Sequence, residues 1–79
     1  MKREEIVLRL QEIFRDIFAD KKMEIHEQLS PVDLETWDSI RHISLIEAIQ
    51  DDFDILFDFD EIAEMKDVSD IVSSICKKL

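Results

Sequence analysis

Two adjacent polar side chains, Asp38 and Ser39, stand directly before the strongest apolar repeat of the chain. Either side chain can accept hydrogen bonds from the free N–H groups of a first helical turn, so a helix with an exposed serine hydroxyl is predicted to begin here. His42 follows three residues later and could act as a base toward that hydroxyl. No Ser/His/Asp constellation stands out, however, and nothing supplies an oxyanion site for this pair. We therefore expect no catalytic residue.

Apolar residues at three- and four-residue steps predict four helices, and no segment shows strand-like alternation. The first helix is expected to end at Asp20-Lys21-Lys22, the second to run from Ser39 to about Phe53 and the short third to lie near residues 59 to 65. Asp67 and Asp70 resemble a capping pair for the fourth helix. The chain is thus predicted to be an all-α, small four-helix bundle with three longer helices and a short third one. The apolar stripes of the first, second and fourth helices are Ile6, Val7, Leu10, Ile13, Phe14, Ile17 and Phe18, then Ile40, Ile43, Ile46, Ile49 and Phe53, then Val68, Ile71, Val72, Ile75, Cys76 and Leu79.

The segment from Met23 to Trp37 keeps no apolar period and is predicted to be a long, ordered loop between the first and second helices. Ser30-Pro31 supports a loop, because proline lacks an N–H donor and pushes the residue before it out of the helical region. Spaced apolar residues are expected to anchor this loop on the core: Ile25, Leu29, Val32 and Leu34.

The composition indicates one acidic domain, covering residues 1–79. Twenty acidic and ten basic residues give a formal charge of −10, which argues against nucleic acid or anionic membranes as partners. The single cysteine, Cys76, cannot form an internal disulfide, and without a His/Cys cluster no metal site is expected. We expect Cys76 to be a core residue. Because neither a signal peptide nor a membrane-spanning run is recognisable, a soluble, cytoplasmic protein is predicted.

Negative charge is concentrated in the second half of the chain. Between His42 and Met65 there is no Lys or Arg, and eight acidic residues lie there: Glu47, Asp51, Asp52, Asp54, Asp58, Asp60, Glu61 and Glu64. These residues could form a solvated face that only keeps the protein soluble. Like charges packed closely repel one another, so their concentration favours a surface that docks on a basic partner.

The order of residues from the second helix onward carries a resemblance to a known family. Asp38-Ser39-Ile40, followed by Ile43, Leu45-Ile46, Ala48-Ile49 and Asp51-Asp52-Phe53, resembles the attachment-site helix of acyl carrier proteins. Phe57 to Met65 resembles the short acidic third helix of that family, and Asp67-Val68-Ser69-Asp70-Ile71 the start of its fourth helix. The resemblance implies a carrier rather than an enzyme. It implies that Ser39 receives 4′-phosphopantetheine from coenzyme A, on whose thiol acyl groups are carried as thioesters.

The same resemblance implies a set of partners and contact residues. A monomer is expected that meets a phosphopantetheinyl transferase and acyl-loading ligase, transferase or synthase enzymes with basic docking patches. The residues expected to dock are Asp38, Arg41, Glu47, Asp51, Asp52, Asp60 and Glu61. An acyl cleft is expected between the second and third helices, lined by Ile43, Ile46, Phe53, Phe57, Ile62 and Met65. Alternatively, these apolar residues simply fill the core.

Two residues that flank the attachment site depart from the common family pattern. Trp37 stands where family members often have a small residue, and Arg41 stands where many fatty-acid carriers have an acidic one. We expect Trp37 to pack over the helix end, with a contact to pantetheine or to a partner as the alternative. The resemblance implies a role in fatty-acid, polyketide or other specialised acyl-transfer biosynthesis. The departures favour a specialised pathway, such as secondary metabolism or surface-polymer acylation, over the general fatty-acid role. Two other functions stay open: a carrier of aminoacyl or peptidyl groups, and an unmodified acidic helical adaptor that binds a basic protein.

Overall fold

The computed structural model of the protein describes residues 1–79 and contains four helices joined by loops. They are α1 (Arg3–Ile17), α2 (Ser39–Phe53), α3 (Phe59–Glu64) and α4 (Val68–Lys78). The prediction of an all-α bundle with a short third helix and a long first loop is confirmed. None of these helices combines the length and the apolar character needed to cross a membrane.

The core is built on α1, which packs against both α2 and α4. These three helices supply the best-buried side chains, in the three- and four-residue steps that place apolar residues on one helix face. In contrast, α3 contributes no fully buried residue and rests on the core through the partly buried Ile62. The short third helix is therefore the least anchored element, at the edge of the bundle. The sixteen core residues are Ile6, Leu10, Phe14, Ile25, Leu29, Trp37, Leu45, Ile46, Ile49, Phe53, Phe57, Met65, Val68, Ile71, Val72 and Ile75.

The long loop between α1 and α2 is held in place by backbone hydrogen bonds to α4. The Val68 N–H donates to the Leu29 carbonyl at 3.0 Å, and the Ser69 N–H donates to the Glu27 carbonyl at 2.8 Å. Arg3 adds an ion pair to Glu27 and a 3.2 Å hydrogen bond to the Ser73 hydroxyl. These contacts join α1, the loop and α4, so the prediction of an ordered loop is confirmed.

Three expectations about burial are wrong. Val32 is 93 % exposed, because it lies in a turn closed by the Asp33 N–H and the Ser30 carbonyl and points away from the core. Ile40 is 75 % exposed, because the buried face of α2 begins only at Leu45. Cys76 is also exposed, since the buried stripe of α4 ends at Ile75 and the next residue lies a hundred degrees further round the helix.

Helix α2 ends without the glycine that commonly makes a left-handed cap. Asp54 adopts φ 55° and ψ 52° and donates its N–H to the Gln50 carbonyl. Aspartate tolerates this conformation better than most residues that carry a Cβ. The Gln50 side chain then accepts a hydrogen bond from the Phe57 N–H at 2.9 Å, which fixes the path of the chain into α3. The predicted end of the second helix at about Phe53 is confirmed.

Candidate functional site

The first turn of α2 is capped by Asp38, which leaves the neighbouring serine unused for capping. The Asp38 carboxylate accepts a hydrogen bond from the Arg41 N–H at 2.8 Å and pairs with the Arg41 guanidinium at 3.2 Å. Ser39 is the first residue of the helix and is exposed. Because a first helical turn has N–H groups without intrahelical partners, the Ser39 hydroxyl stands at the positive end of the helix dipole.

An open groove of about 550 Å³ begins beside Ser39 and runs between α2 and α3. Its volume lies within the range of roughly 300–1,000 Å³ typical of small-ligand sites. The polar groups collect near the start of α2, and the apolar ones line the side toward α3. The nine lining residues are Pro31, Trp37, Asp38, Ser39, His42, Ile43, Ile62, Ala63 and Met65.

Two of the lining residues, a tryptophan and a histidine, are hydrogen-bonded to each other. The Trp37 indole N–H donates to His42 Nδ1 at 3.1 Å, and the Trp37 ring packs edge-on against Phe14 with 5.3 Å between ring centroids. Trp37 is only 5 % exposed, as expected from its size and position. Because His42 Nδ1 accepts this bond, the neutral ring carries its proton on Nε2. His42 is therefore bonded to Trp37 and serves the packing of the helix end.

Acidification should weaken the fold through His42. Burial lowers the pKa of His42 below its usual 6.5, and a hydrogen bond to the Ile62 backbone opposes the shift. The unfolded chain therefore binds a proton more readily than the folded one, so stability falls as the pH drops through about 6.5 toward the lower folded value. We expect the urea midpoint, followed by Trp37 fluorescence, to decrease between about pH 7.5 and pH 5.5.

The matched control for this pH dependence is His42→Gln, which keeps a polar side chain but cannot titrate. The pKa values of Glu27 and Glu61 are lowered by their hydrogen bonds from Arg3 and the Asp58 backbone, respectively, so these carboxyls titrate below 4.5, outside the tested range. If the urea midpoint of His42→Gln falls with decreasing pH as steeply as that of the parent chain, His42 is not the cause of the pH dependence.

The residues expected to line an acyl cleft are divided by the structure between two places. Ile43, Ile62 and Met65 line the groove. The other three, Ile46, Phe53 and Phe57, are buried in the core and line no part of it. Sequence reasoning missed three groove residues: His42, Ala63 and Pro31. The spacing of His42 from Ser39 could have placed it on the same helix face, whereas the position of Pro31 depends on how the loop folds back.

The charged residues expected to dock on partners also fall into two groups. Four of them have partners within the chain: Asp38 and Arg41 pair with each other, Asp52 pairs with Arg9 at 2.8 Å, and Glu61 pairs with Lys78 at 2.9 Å. The Arg9 guanidinium also lies 4.1 Å from the centre of the Phe53 ring. The remaining residues, Glu47, Asp51 and Asp60, are not salt-bridged within the chain, and all three are exposed. Only this second group offers uncompensated charge to another molecule.

Comparison with solved structures identifies proteins of the same architecture. The holo acyl carrier protein from Geobacter metallireducens is 30 % identical, with a TM-score of 0.85 over 91 % of this chain and 83 % of that one. This chain belongs to the acyl carrier protein family. A putative acyl carrier protein from Mycobacterium tuberculosis is 27 % identical, with a TM-score of 0.72 over 96 % of this chain and 97 % of that one.

A third solved structure supports the carrier fold alone, because its sequence is more distant. The acyl carrier protein from Thermotoga maritima is 24 % identical, with a TM-score of 0.85 over 99 % of this chain and 91 % of that one. No protein-family model matches the chain, and no curated protein sequence matches it either. Acyl carrier proteins are carriers rather than catalysts, which agrees with the bonding of His42 to Trp37 in this member of the family.

Proposed function

We propose that this acyl carrier protein carries acyl groups as thioesters on 4′-phosphopantetheine attached to Ser39. The observation that supports the attachment point is the position of an exposed serine at the first residue of α2, at the rim of the groove. Asp38 takes over the capping role, so the Ser39 hydroxyl is available to an incoming phosphate. The holo state of the Geobacter metallireducens protein supports the same prosthetic group.

The residues around Ser39 fit a phosphodiester. The first-turn N–H groups of α2 and the helix dipole favour negative charge at this position. The Asp38 carboxylate would oppose a second negative group, but Arg41 lies 3.2 Å from it and supplies compensating positive charge. The departure of Arg41 from an acidic residue therefore makes the attachment site less negative than the rest of α2.

The groove beside Ser39 fits the part of the carrier that follows the phosphate. When bound, the prosthetic group supplies a terminal thiol on which an acyl group is held as a thioester. The side chains of Ile43, Ile62 and Met65 offer that acyl group an apolar surface and exclude water from it.

The uncompensated carboxylates Glu47, Asp51 and Asp60 are the residues that we propose as docking contacts. They lie on α2 and α3, and exposed charge of one sign attracts an enzyme with a complementary basic patch. The proposed partners are a phosphopantetheinyl transferase, an acyl-loading ligase or transferase, and a synthase. Trp37 and Arg41 flank Ser39 and favour a specialised pathway over general fatty-acid synthesis.

Reversal of two of these charges should slow loading. For Glu47→Lys with Asp51→Lys we expect kcat/KM of a broad-specificity phosphopantetheinyl transferase to fall about tenfold at low salt, because steering toward its basic patch is lost. The remaining rate should depend less on ionic strength than that of the parent chain.

The matched control reverses two exposed acids elsewhere, Glu4→Lys with Glu24→Lys, and so changes the net charge by the same amount. We expect its loading rate to stay close to that of the parent chain. Equal losses in both double variants would show that net charge, rather than the α2 surface, controls loading. Asp52 is left intact because its pairing with Arg9 contributes to the packing of α1 on α2.

The direct test of the proposal is incubation of the chain with coenzyme A, magnesium and a broad-specificity phosphopantetheinyl transferase, followed by measurement of the intact mass. We expect a gain of one phosphopantetheinyl group. No gain with several such transferases would overturn the proposal and favour an unmodified acidic adaptor that uses the same α2 and α3 surface.

A further inference from the structure

The groove beside Ser39 is closed on its inner side by Trp37. The Trp37 indole lines the groove and also makes a T-shaped contact with the Phe14 ring. Phe14 itself is fully buried and lines none of the cavities. The indole therefore separates the groove from the interior of the bundle. A smaller residue at position 37 would leave room between the groove and Phe14.

The indole is fixed in this position by contacts on several sides. Its N–H donates to His42 Nδ1, the two rings lie nearly parallel with 6.0 Å between centroids, and the Trp37 backbone N–H donates to the Leu34 carbonyl at 2.9 Å. Outward rotation would expose an aromatic ring to water and break a half-buried hydrogen bond. Trp37 is thus a fixed wall.

No second route leads from the groove into the core. The buried side chains below it, including Leu45, Ile46 and Ile49, line none of the four cavities of the structure. Met65 is the one lining residue that the groove shares with another cavity, and that cavity is small and polar. A chain that outgrows the groove must therefore extend into solvent.

We propose that Trp37, held by His42, is a specificity-determining residue that limits the groove to short acyl chains. This inference rests on the proposed attachment at Ser39 and assigns short-chain acyl thioesters as the cargo that the protein covers. Longer chains are carried with their distal carbons outside the groove, where they gain no protection from water.

The test uses the holo protein charged with acetyl, butyryl, hexanoyl, octanoyl or dodecanoyl groups, and NMR of backbone amides and isoleucine methyl groups. We expect chemical-shift changes at Ile43, Ile62 and Ala63 to stop growing with chain length before dodecanoyl is reached, with no change at Leu45 or Ile49. In Trp37→Phe, which keeps an aromatic contact with Phe14, the limit should move to a longer chain. Shifts in the parent chain that grow through dodecanoyl and reach Ile49 would overturn the proposal.

A second measurement needs no prosthetic group and so separates failure of this inference from failure of the attachment. Xenon dissolved with the unmodified protein reports apolar cavities that are empty of water. We expect xenon to shift Phe14 resonances in Trp37→Phe and to leave them unchanged in the parent chain. Xenon shifts at Phe14 in the parent chain would show that Trp37 is not a closed wall.

Discussion

Replacement of Ser39 by alanine is expected to abolish phosphopantetheinyl transfer completely. The transfer needs a hydroxyl oxygen that attacks the phosphate of coenzyme A, and alanine has none. The fold should be unaffected, because Asp38 and not Ser39 caps α2, and alanine has a higher helix propensity than serine. The measurement is the intact mass after incubation with coenzyme A, magnesium and the transferase, together with a circular dichroism spectrum of the variant.

The matched control is Ser69→Ala. Ser69 also lies in the first turn of a helix whose N-cap is an aspartate, Asp67, but it is half-buried and its hydroxyl accepts a hydrogen bond from Arg3. We expect this variant to gain the same mass as the parent chain. A mass gain in Ser39→Ala would contradict Ser39 as the attachment residue and would show that another hydroxyl receives the phosphopantetheinyl group.

Sequence reasoning places the helices well because each one combines an apolar stripe with a local end signal. Asp38 and Asp67 both cap helices through the backbone N–H three residues later, which is a short-range contact between neighbours in sequence. The end of α2 at Asp54 is equally local, since a single residue adopts the left-handed conformation. Features that depend on a few adjacent residues can be recognised without knowledge of the tertiary structure.

Burial along one helix face is less predictable, because it depends on where neighbouring helices end. Ile40 and Ile43 continue the apolar period of α2, yet both are exposed because the core covers α2 only from Leu45 onward. The prediction of one acyl cleft placed all six apolar residues on one surface. In the structure, Ile46, Phe53 and Phe57 are buried inside the bundle instead.

The site also contains pairings between residues whose contact the sequence does not reveal. Trp37 and His42 are five residues apart, but their hydrogen bond requires the loop to approach the first turns of α2 from the side of Phe14. Likewise, the ion pair between Arg9 and Asp52 joins α1 to α2 and removes one carboxylate from the acidic surface. The charge pattern predicted an acidic face, but only the fold determines which carboxylates remain uncompensated.

Replacement of Phe14 by alanine is expected to cause the largest loss of stability among the side chains that support the groove. Phe14 is fully buried, stacks on Phe18 with 5.6 Å between ring centroids and meets the edge of Trp37. Truncation of a buried phenylalanine costs about 3–5 kcal/mol, because apolar contacts are lost and a cavity remains. A small domain has roughly 5–15 kcal/mol of stability in total, so much of the fold would be lost.

Urea unfolding followed by circular dichroism and by Trp37 fluorescence measures this loss. Phe14→Leu fills more of the cavity and should lose less than Phe14→Ala, which keeps the comparison possible if the alanine variant does not fold. Phe59→Ala is the control, because Phe59 is 82 % exposed and its truncation should change stability by about 0.5 kcal/mol or less. Similar losses for Phe14→Ala and Phe59→Ala would contradict the central place of Phe14. Because the Phe14 ring contacts the Trp37 indole, Phe14→Leu should also alter the Trp37 emission of the folded protein. The packing of the core at Phe14 thus determines the position of a residue that lines the groove beside Ser39.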